Sequence, residues 1–226
     1  MRLVKKRLLV LLSGRGSNLL ALADWLSAHA WPLEIGCVVS NRPEAAGLSH
    51  AQARGLTTRC FDPRALGGME GFEAALEQEL AERPADLIVL AGFMRILSPA
   101  FCERHAGQIL NIHPSLLPSF SGLNTHERAL AAGVRVHGAT VHLVSAELDA
   151  GPILAQGLVP VLHGDSAESL AARVLEIEHQ IFPPAIAAVA GGLMRPTKAG
   201  WQPGDAAPGF EELVFSPLTV HKALTI

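Results

Sequence analysis

Short apolar runs without polar alternation recur along the first part of the chain, separated by longer segments rich in alanine and leucine. A strand that is apolar at every position can be covered on both faces, as in a parallel sheet enclosed by helices. This succession predicts an α/β fold with a doubly wound, mostly parallel sheet, whose ligand lies beyond the carboxyl ends of the strands. The predicted strands are residues 7–12, 35–39, 57–61, 86–91 and 108–112, and the predicted helices are residues 18–29, 44–54, 69–82, 99–105 and 125–132.

The pattern changes in the second half of the chain. Residues 136–144 and 153–161 read as two strands joined by a loop, which indicates an antiparallel hairpin rather than another crossover unit. A long helix is predicted from about Ser166 to Gly191, with the pair Pro183-Pro184 bending or interrupting it. The fold expected is therefore a Rossmann-like sheet with a C-terminal hairpin and a long helix.

The size of the chain allows one sizeable core. With 226 residues, 49% of them hydrophobic, the chain can bury most of its apolar side chains in a single domain. We expect that domain to span residues 1–191. Residues 192–226 are rich in glycine and proline and predict an irregular tail, packed on the domain or extending from it, with one closing strand at Leu213–Phe215.

Charge and cysteine usage point to small-molecule partners. The net charge is −3 and the 18 basic residues are scattered, so the sequence gives no electrostatic case for nucleic acid. Cys37, Cys60 and Cys102 are widely separated and read as reduced thiols, and no metal-ligand spacing occurs, so no metal site is expected. No segment has the length of a signal sequence or a membrane span, and we expect a cytoplasmic protein, monomeric or homodimeric.

A glycine-rich loop, Ser13-Gly14-Arg15-Gly16-Ser17-Asn18, joins the first predicted strand to the first helix. Glycines allow close approach of the backbone, the helix start offers free N–H groups, and Ser17 and Asn18 add side-chain donors, so a phosphate can bind here. The loop is neither a dinucleotide fingerprint nor a Walker loop, and a tight turn with an ordinary cap explains it equally well. Arg15 either adds a cation to this site or points to solvent.

Three side chains in two loop-like segments carry the chemistry. Asn111 and His113 lie in Asn111-Ile112-His113-Pro114-Ser115-Leu116-Leu117-Pro118, and Asp149 lies in Glu147-Leu148-Asp149-Ala150-Gly151-Pro152. An amide and an imidazole can stabilise an oxyanion, and a carboxylate can act as a base or orient the imidazole. Together they suggest acyl transfer without a covalent nucleophile. Taken singly, each has a structural alternative: a turn cap, a core histidine or an Asx-turn residue.

The four segments at 13–18, 91–98, 111–118 and 147–152 occur in an order and spacing that resemble phosphoribosylglycinamide formyltransferases, in the folate-dependent formyltransferase superfamily. The resemblance covers about residues 7–190. It implies transfer of a formyl group from the co-substrate 10-formyltetrahydrofolate to the amine of glycinamide ribonucleotide, in de novo purine synthesis.

The resemblance also implies roles for single residues. Asn111, His113 and Asp149 would be catalytic; Gly16, Ser17 and Asn18 would hold the 5′-phosphate; and Glu178 would meet the ribose or amine end of the ribonucleotide. Folate would contact Arg64, Met94, Arg95, Ile96, Leu97 and Ser145, the last within the loop Ser145–Asp149.

Three other functions compete with the transferase prediction. A formyltetrahydrofolate hydrolase shares the catalytic trio but carries a regulatory module ahead of it, for which a first strand near residue 7 leaves no room. A non-catalytic folate- or nucleotide-binding module would bind ligand without turnover, and it would not need Asn111, His113 and Asp149 together. A methionyl-tRNA formyltransferase would need a further RNA-binding domain and a more basic surface.

Overall fold

The computed structural model describes residues 5–197, 200–213 and 215–220. Strands and helices alternate in its first part, and a strand hairpin and a long helix follow them. Every helix and strand predicted up to Gly191 is present, and its observed ends lie within two residues of the predicted ones. In order these are β1 (Lys6–Leu12), α1 (Ser17–Ala28), β2 (Leu33–Ser40), α2 (Ala46–Ala53), β3 (Thr58–Cys60), α3 (Met69–Glu82), β4 (Leu87–Leu90), α4 (Pro99–Arg104), β5 (Ile109–His113), α5 (Thr125–Ala131), β6 (Val136–Leu143), β7 (Ile153–Pro160) and α6 (Ala167–Ala190).

The main sheet confirms the doubly wound, mostly parallel prediction. Its strand order is β10-β7-β6-β5-β4-β1-β2-β3, where β10 is Leu218–Val220. Within the described residues β6 alone runs antiparallel to its neighbours, pairing with β5 on one side and β7 on the other. The order reverses between β1 and β4, because β2 and β3 follow on one side of β1 while β4 and β5 lie on the other. Such a switch point is where open α/β sheets bind ligands.

Both faces of the sheet are buried, which explains the continuous apolar runs. Along β1, Leu8, Val10 and Leu12 contribute to one core cluster and Leu9 and Leu11 to the other. Successive side chains of a strand point to opposite faces, so a strand covered on both sides has no polar position in its centre. The first cluster contains residues of α1, α2 and α6, and the second contains residues of α3 and α4.

The long helix α6 is continuous, so of the two predicted effects of Pro183-Pro184, bending or interruption, the second is wrong. Ser166 caps its start in a reciprocal pair with Ser169, and Pro183 and Pro184 lie inside the helix. An interior proline removes a backbone hydrogen bond. The apolar side chains on either side of the prolines, including Phe182 and Ile186, are fully buried, and this packing holds the helix together through the missing bonds.

The tail contains more regular structure than predicted, and Val214 of the predicted closing strand Leu213–Phe215 lies outside the described residues. Residues Met194–Thr197 form β8 and Gly200–Pro203 form β9, which pair as an antiparallel hairpin. The last strand of the described chain lies at Leu218–Val220 and pairs in parallel with β7, while Leu213 is buried in the core without strand pairing. Leu213 is thus used for packing, and the residues that begin five positions later extend the sheet.

Candidate active site

The glycine-rich loop crosses from β1 into α1 at the carboxyl end of the strand. Gly16 precedes the helix with a left-handed backbone (φ 77°), and no side chain caps the helix start. A Cβ on Gly16 would lie 2.8 Å from the Cα of Gly47, so the loop can pack against α2 only with glycine at this position. The first-turn N–H groups of α1 are therefore presented at the switch point without a side-chain acceptor of their own.

Asn18 and Glu178 meet although 160 residues separate them. The Asn18 amide donates to Glu178 Oε2 over 2.7 Å, and both side chains are buried. Burial raises the pKa of the Glu178 carboxyl to about 7, against a smaller lowering effect of the Asn18 hydrogen bond. The structure thus joins the predicted phosphate loop to the predicted ribose or amine residue of α6, a contact that no local sequence signal indicates.

Asn111 and His113 lie on β5 at the edge where β1 and β4 also end. Leu90, the last residue of β4, pairs with Asn111, and Asn111 pairs with His142 of β6. His142 Nδ1 lies 2.8 Å from the Leu143 carbonyl, which can only accept, so Nδ1 carries the proton. His142 Nε2 then accepts from the Asn111 amide nitrogen at 3.1 Å. Burial lowers the pKa of His142 and so favours this neutral form.

Asp149 reaches His113 from the loop between β6 and β7. Its Oδ2 atom lies 3.4 Å from His113 Nδ1 and accepts a hydrogen bond from the Gly122 N–H at 2.8 Å. Its Oδ1 atom is 3.8 Å from His142 Nε2. Asp149 has a left-handed backbone (φ 52°), a conformation that aspartate tolerates better than most residues. The trio predicted from two separate motifs is therefore one cluster.

Both ring nitrogens of His113 face acceptors. Nδ1 faces the Asp149 carboxylate and Nε2 lies 3.1 Å from the Phe120 carbonyl oxygen. With 8% of each side chain exposed, the His113–Asp149 pair is shielded from water, and its electrostatic attraction is stronger than that of a surface pair.

The segment after β4 forms an exposed apolar surface next to the glycine-rich loop. Met94 is 63% exposed and Ile96 is 68% exposed, and Arg95 is also exposed. Leu97 belongs to the core, so only its backbone is available to a ligand. The Ser13 hydroxyl accepts from the Met94 N–H at 2.8 Å, which fixes this segment against β1.

Ser145 and Arg64 make local contacts only, within the described residues. The Ser145 hydroxyl donates to the Glu147 carbonyl at 3.0 Å and so shapes the loop that carries Asp149. Arg64 is exposed and paired with Asp62 through several hydrogen bonds, which lower the pKa of Asp62, as does the nearby Arg95 to a smaller degree. Arg95 is therefore close enough to act on Asp62, the residue whose ion pair already occupies the Arg64 guanidinium.

The side chain of Arg15 is exposed. In the described ranges no group of three or more histidine, cysteine, aspartate or glutamate side chains is placed to hold a metal ion. None of the helices in the described part of the chain is long and apolar enough to cross a membrane.

Comparison with known proteins gives a family for this arrangement. A model of the formyl transferase family matches residues 6–186. The chain belongs to this formyl transferase family. It is 43% identical to the phosphoribosylglycinamide formyltransferase of Escherichia coli (strain K12) over 202 residues, which are 89% of this chain and 95% of that protein.

Two further relatives are similar to this chain, one in structure and one in sequence. The crystal structure of phosphoribosylglycinamide formyltransferase from Anaplasma phagocytophilum superposes with a TM-score of 0.83 at 42% identity, covering 96% of this chain and 100% of that one. The trifunctional purine biosynthetic protein adenosine-3 of Gallus gallus is 47% identical over 196 residues, 87% of this chain. The chain spans only 20% of that relative's length. The resemblance carried by the four sequence segments is thereby confirmed.

Proposed function

We propose that this formyl transferase family member moves a formyl group from 10-formyltetrahydrofolate to the amine of glycinamide ribonucleotide. The observation that carries the proposal is the cluster of Asn111, His113 and Asp149 at the carboxyl edge of the sheet, where the glycine-rich loop and the exposed segment 94–97 also lie. Full-length relatives named phosphoribosylglycinamide formyltransferase support it.

The nucleophile is the amine of the ribonucleotide itself. A cysteine nucleophile would need a lowered thiol pKa, but burial raises the pKa of Cys37 to about 12 and also raises that of Cys60 and of Cys102. The enzyme then accelerates the reaction mainly by holding two reactants in attack geometry.

Asn111 and His113 stabilise the negative charge that develops on the formyl oxygen. Since the Asn111 amide donates one hydrogen to His142 Nε2, its orientation is fixed and its second hydrogen is free to donate to that oxygen. His113 contributes its Nε2–H, which must exchange the Phe120 carbonyl for the formyl oxygen. A donor of this kind is typically worth about 10²–10³ in rate.

Asp149 stabilises the proton on His113 and serves as the acceptor for the proton that the attacking amine loses. Its carboxylate faces His113 Nδ1, and passing the proton on to the leaving folate nitrogen, directly or through water, returns the site to its starting state.

The remaining predicted residues bind the substrates. Backbone N–H groups from Gly16 to Asn18 hold the 5′-phosphate, and Glu178 binds the ribose or amine end. Met94 to Leu97 and the loop Ser145–Asp149 enclose the pterin, and Arg64 meets the benzoyl-glutamate part once it is released from Asp62. The proposed reaction needs no metal, nucleic acid or membrane. We propose a cytoplasmic location, with which the three unpaired cysteines agree. We also propose a monomer or homodimer in which residues 1–191 form one catalytic domain.

Loss of the formyl donor, followed with and without glycinamide ribonucleotide, tests the reaction class. Turnover only with the amine is expected, and equal turnover without it would mean a hydrolase. Asp149→Asn should lower kcat by at least about 10² while the protein stays folded and binds both ligands. An Asx-turn role predicts nearly intact activity, since asparagine keeps the turn.

A further inference from the structure

The β8–β9 hairpin lies beyond residues 6–186, which match the family model, and it contacts the loop that carries Asp149. The indole Nε1 of Trp201 in β9 donates to the Pro152 carbonyl at 3.1 Å. Pro152 ends the loop between β6 and β7, three residues after Asp149. A part of the chain outside the catalytic cluster therefore holds one end of the segment that supplies the carboxylate.

The Pro152 end of this loop is also pressed against β6. The Pro152 carbonyl accepts a second hydrogen bond, from Leu143 N–H at 3.0 Å. At Gly151 a Cβ would lie 1.9 Å from the Leu143 carbonyl oxygen, so the backbone there cannot move toward β6. The Leu143 backbone therefore holds this end of the loop on β6, and the Trp201 indole holds the same carbonyl from the hairpin.

The position of Asp149 depends on this anchoring. Its left-handed backbone costs free energy for a residue with a side chain, so the flanking segments must hold it in place. Its Oδ2 atom has to stay 2.8 Å from the Gly122 N–H and 3.4 Å from His113 Nδ1. Displacements of about 1 Å at a catalytic group can cost up to about 10² in rate.

We infer that Trp201 is a positioning residue for Asp149, acting through the Pro152 carbonyl. The inference rests on the proposed function, because Asp149 must be catalytic for its position to matter. The C-terminal hairpin is on this view part of the active-site framework.

The first test compares two identical substitutions. Trp201→Phe keeps an aromatic ring and removes the N–H donor, whereas Trp31→Phe removes an indole N–H that has no hydrogen-bond partner within the described residues. Trp201→Phe should lower kcat about fivefold, the rate equivalent of one typical hydrogen bond, with the KM for glycinamide ribonucleotide unchanged. Trp31→Phe should leave kcat within about twofold. Equal effects of the two substitutions on kcat would overturn the inference.

The second test asks whether Trp201 acts through Asp149. Trp201→Phe combined with Asp149→Asn should lower kcat no further than Asp149→Asn alone, since the carboxylate to be positioned is gone. Additive losses would show general destabilisation instead and refute the inference. Amide exchange in residues 145–151 supplies a readout independent of turnover: it should accelerate in Trp201→Phe and not in Trp31→Phe. If the wild-type chain shows no amine-dependent transfer, the proposed function fails, whereas normal transfer with an unaffected Trp201→Phe refutes the positioning role alone.

Discussion

The buried carboxyl of Glu178 gives a quantitative prediction about pH and stability. A rise of its pKa from 4.5 to about 7, at about 1.4 kcal/mol for each pKa unit, corresponds to about 3 kcal/mol. Between these two pH values the folded chain binds more protons at this group than the unfolded chain does. Stability is therefore greatest below about pH 4.5 with respect to this group, and falls as the pH rises through 7.

Glu178→Gln replaces the carboxyl with a neutral group of nearly the same shape whose oxygen can still accept from the Asn18 amide. Relative to wild type, the variant should gain up to about 3 kcal/mol in unfolding free energy at pH 8 and nearly nothing at pH 4.5. The same substitution should raise the KM for glycinamide ribonucleotide, because the proposed ribose or amine contact is lost.

Urea denaturation of both proteins at pH 4.5, 6 and 8 measures this difference. Glu176→Gln on the same helix is the control for the exchange of glutamate for glutamine, since Glu176 is exposed. If the stability difference between Glu178→Gln and wild type is the same at every pH, the carboxyl does not titrate as its burial implies.

Two further predictions concern ligand binding. Asn18→Ala should raise the KM for glycinamide ribonucleotide at least severalfold and leave folate affinity unchanged, and steady-state kinetics with each substrate varied would detect the opposite pattern. A folate analogue should slow amide exchange in residues 94–97 and 145–149, where backbone groups adjoin exposed apolar side chains; protection of neither segment contradicts this placement.

Much of the fold could be predicted because its signals are local. Apolar runs, helix caps and glycine turns placed each element up to residue 191. The tail could not be predicted in this way, since Leu213 and Leu218 lie in similar short apolar runs. Only the tertiary structure decides that the first is buried in the core and the second pairs with β7. Pro183 and Pro184 do not interrupt α6 for the same reason: burial of the surrounding helix outweighs the local tendency of proline to end a helix.

The three residues of the proposed catalytic cluster were predictable as residue types, but their geometry was not. Asn111, His113 and Asp149 stand in two short motifs, so their identities could be read from the sequence. The contacts that orient them come from partners far along the chain, such as Gly122 and His142. A hydrogen bond between distant residues leaves no periodic pattern in a single sequence.

His113 and His142 both lie near Asp149, but their ring nitrogens have different hydrogen-bond partners. His142 donates to its neighbouring carbonyl through Nδ1, and burial lowers its pKa, so its Nε2 remains an acceptor that holds the Asn111 amide. His113 has an acceptor at each nitrogen and so is held as a donor. The carboxylate is also closer to His113 than to His142, at 3.4 Å against 3.8 Å. A neutral His142 suits the proposed function, because an imidazolium there would repel the Asn111 amide hydrogens that the proposed oxyanion needs.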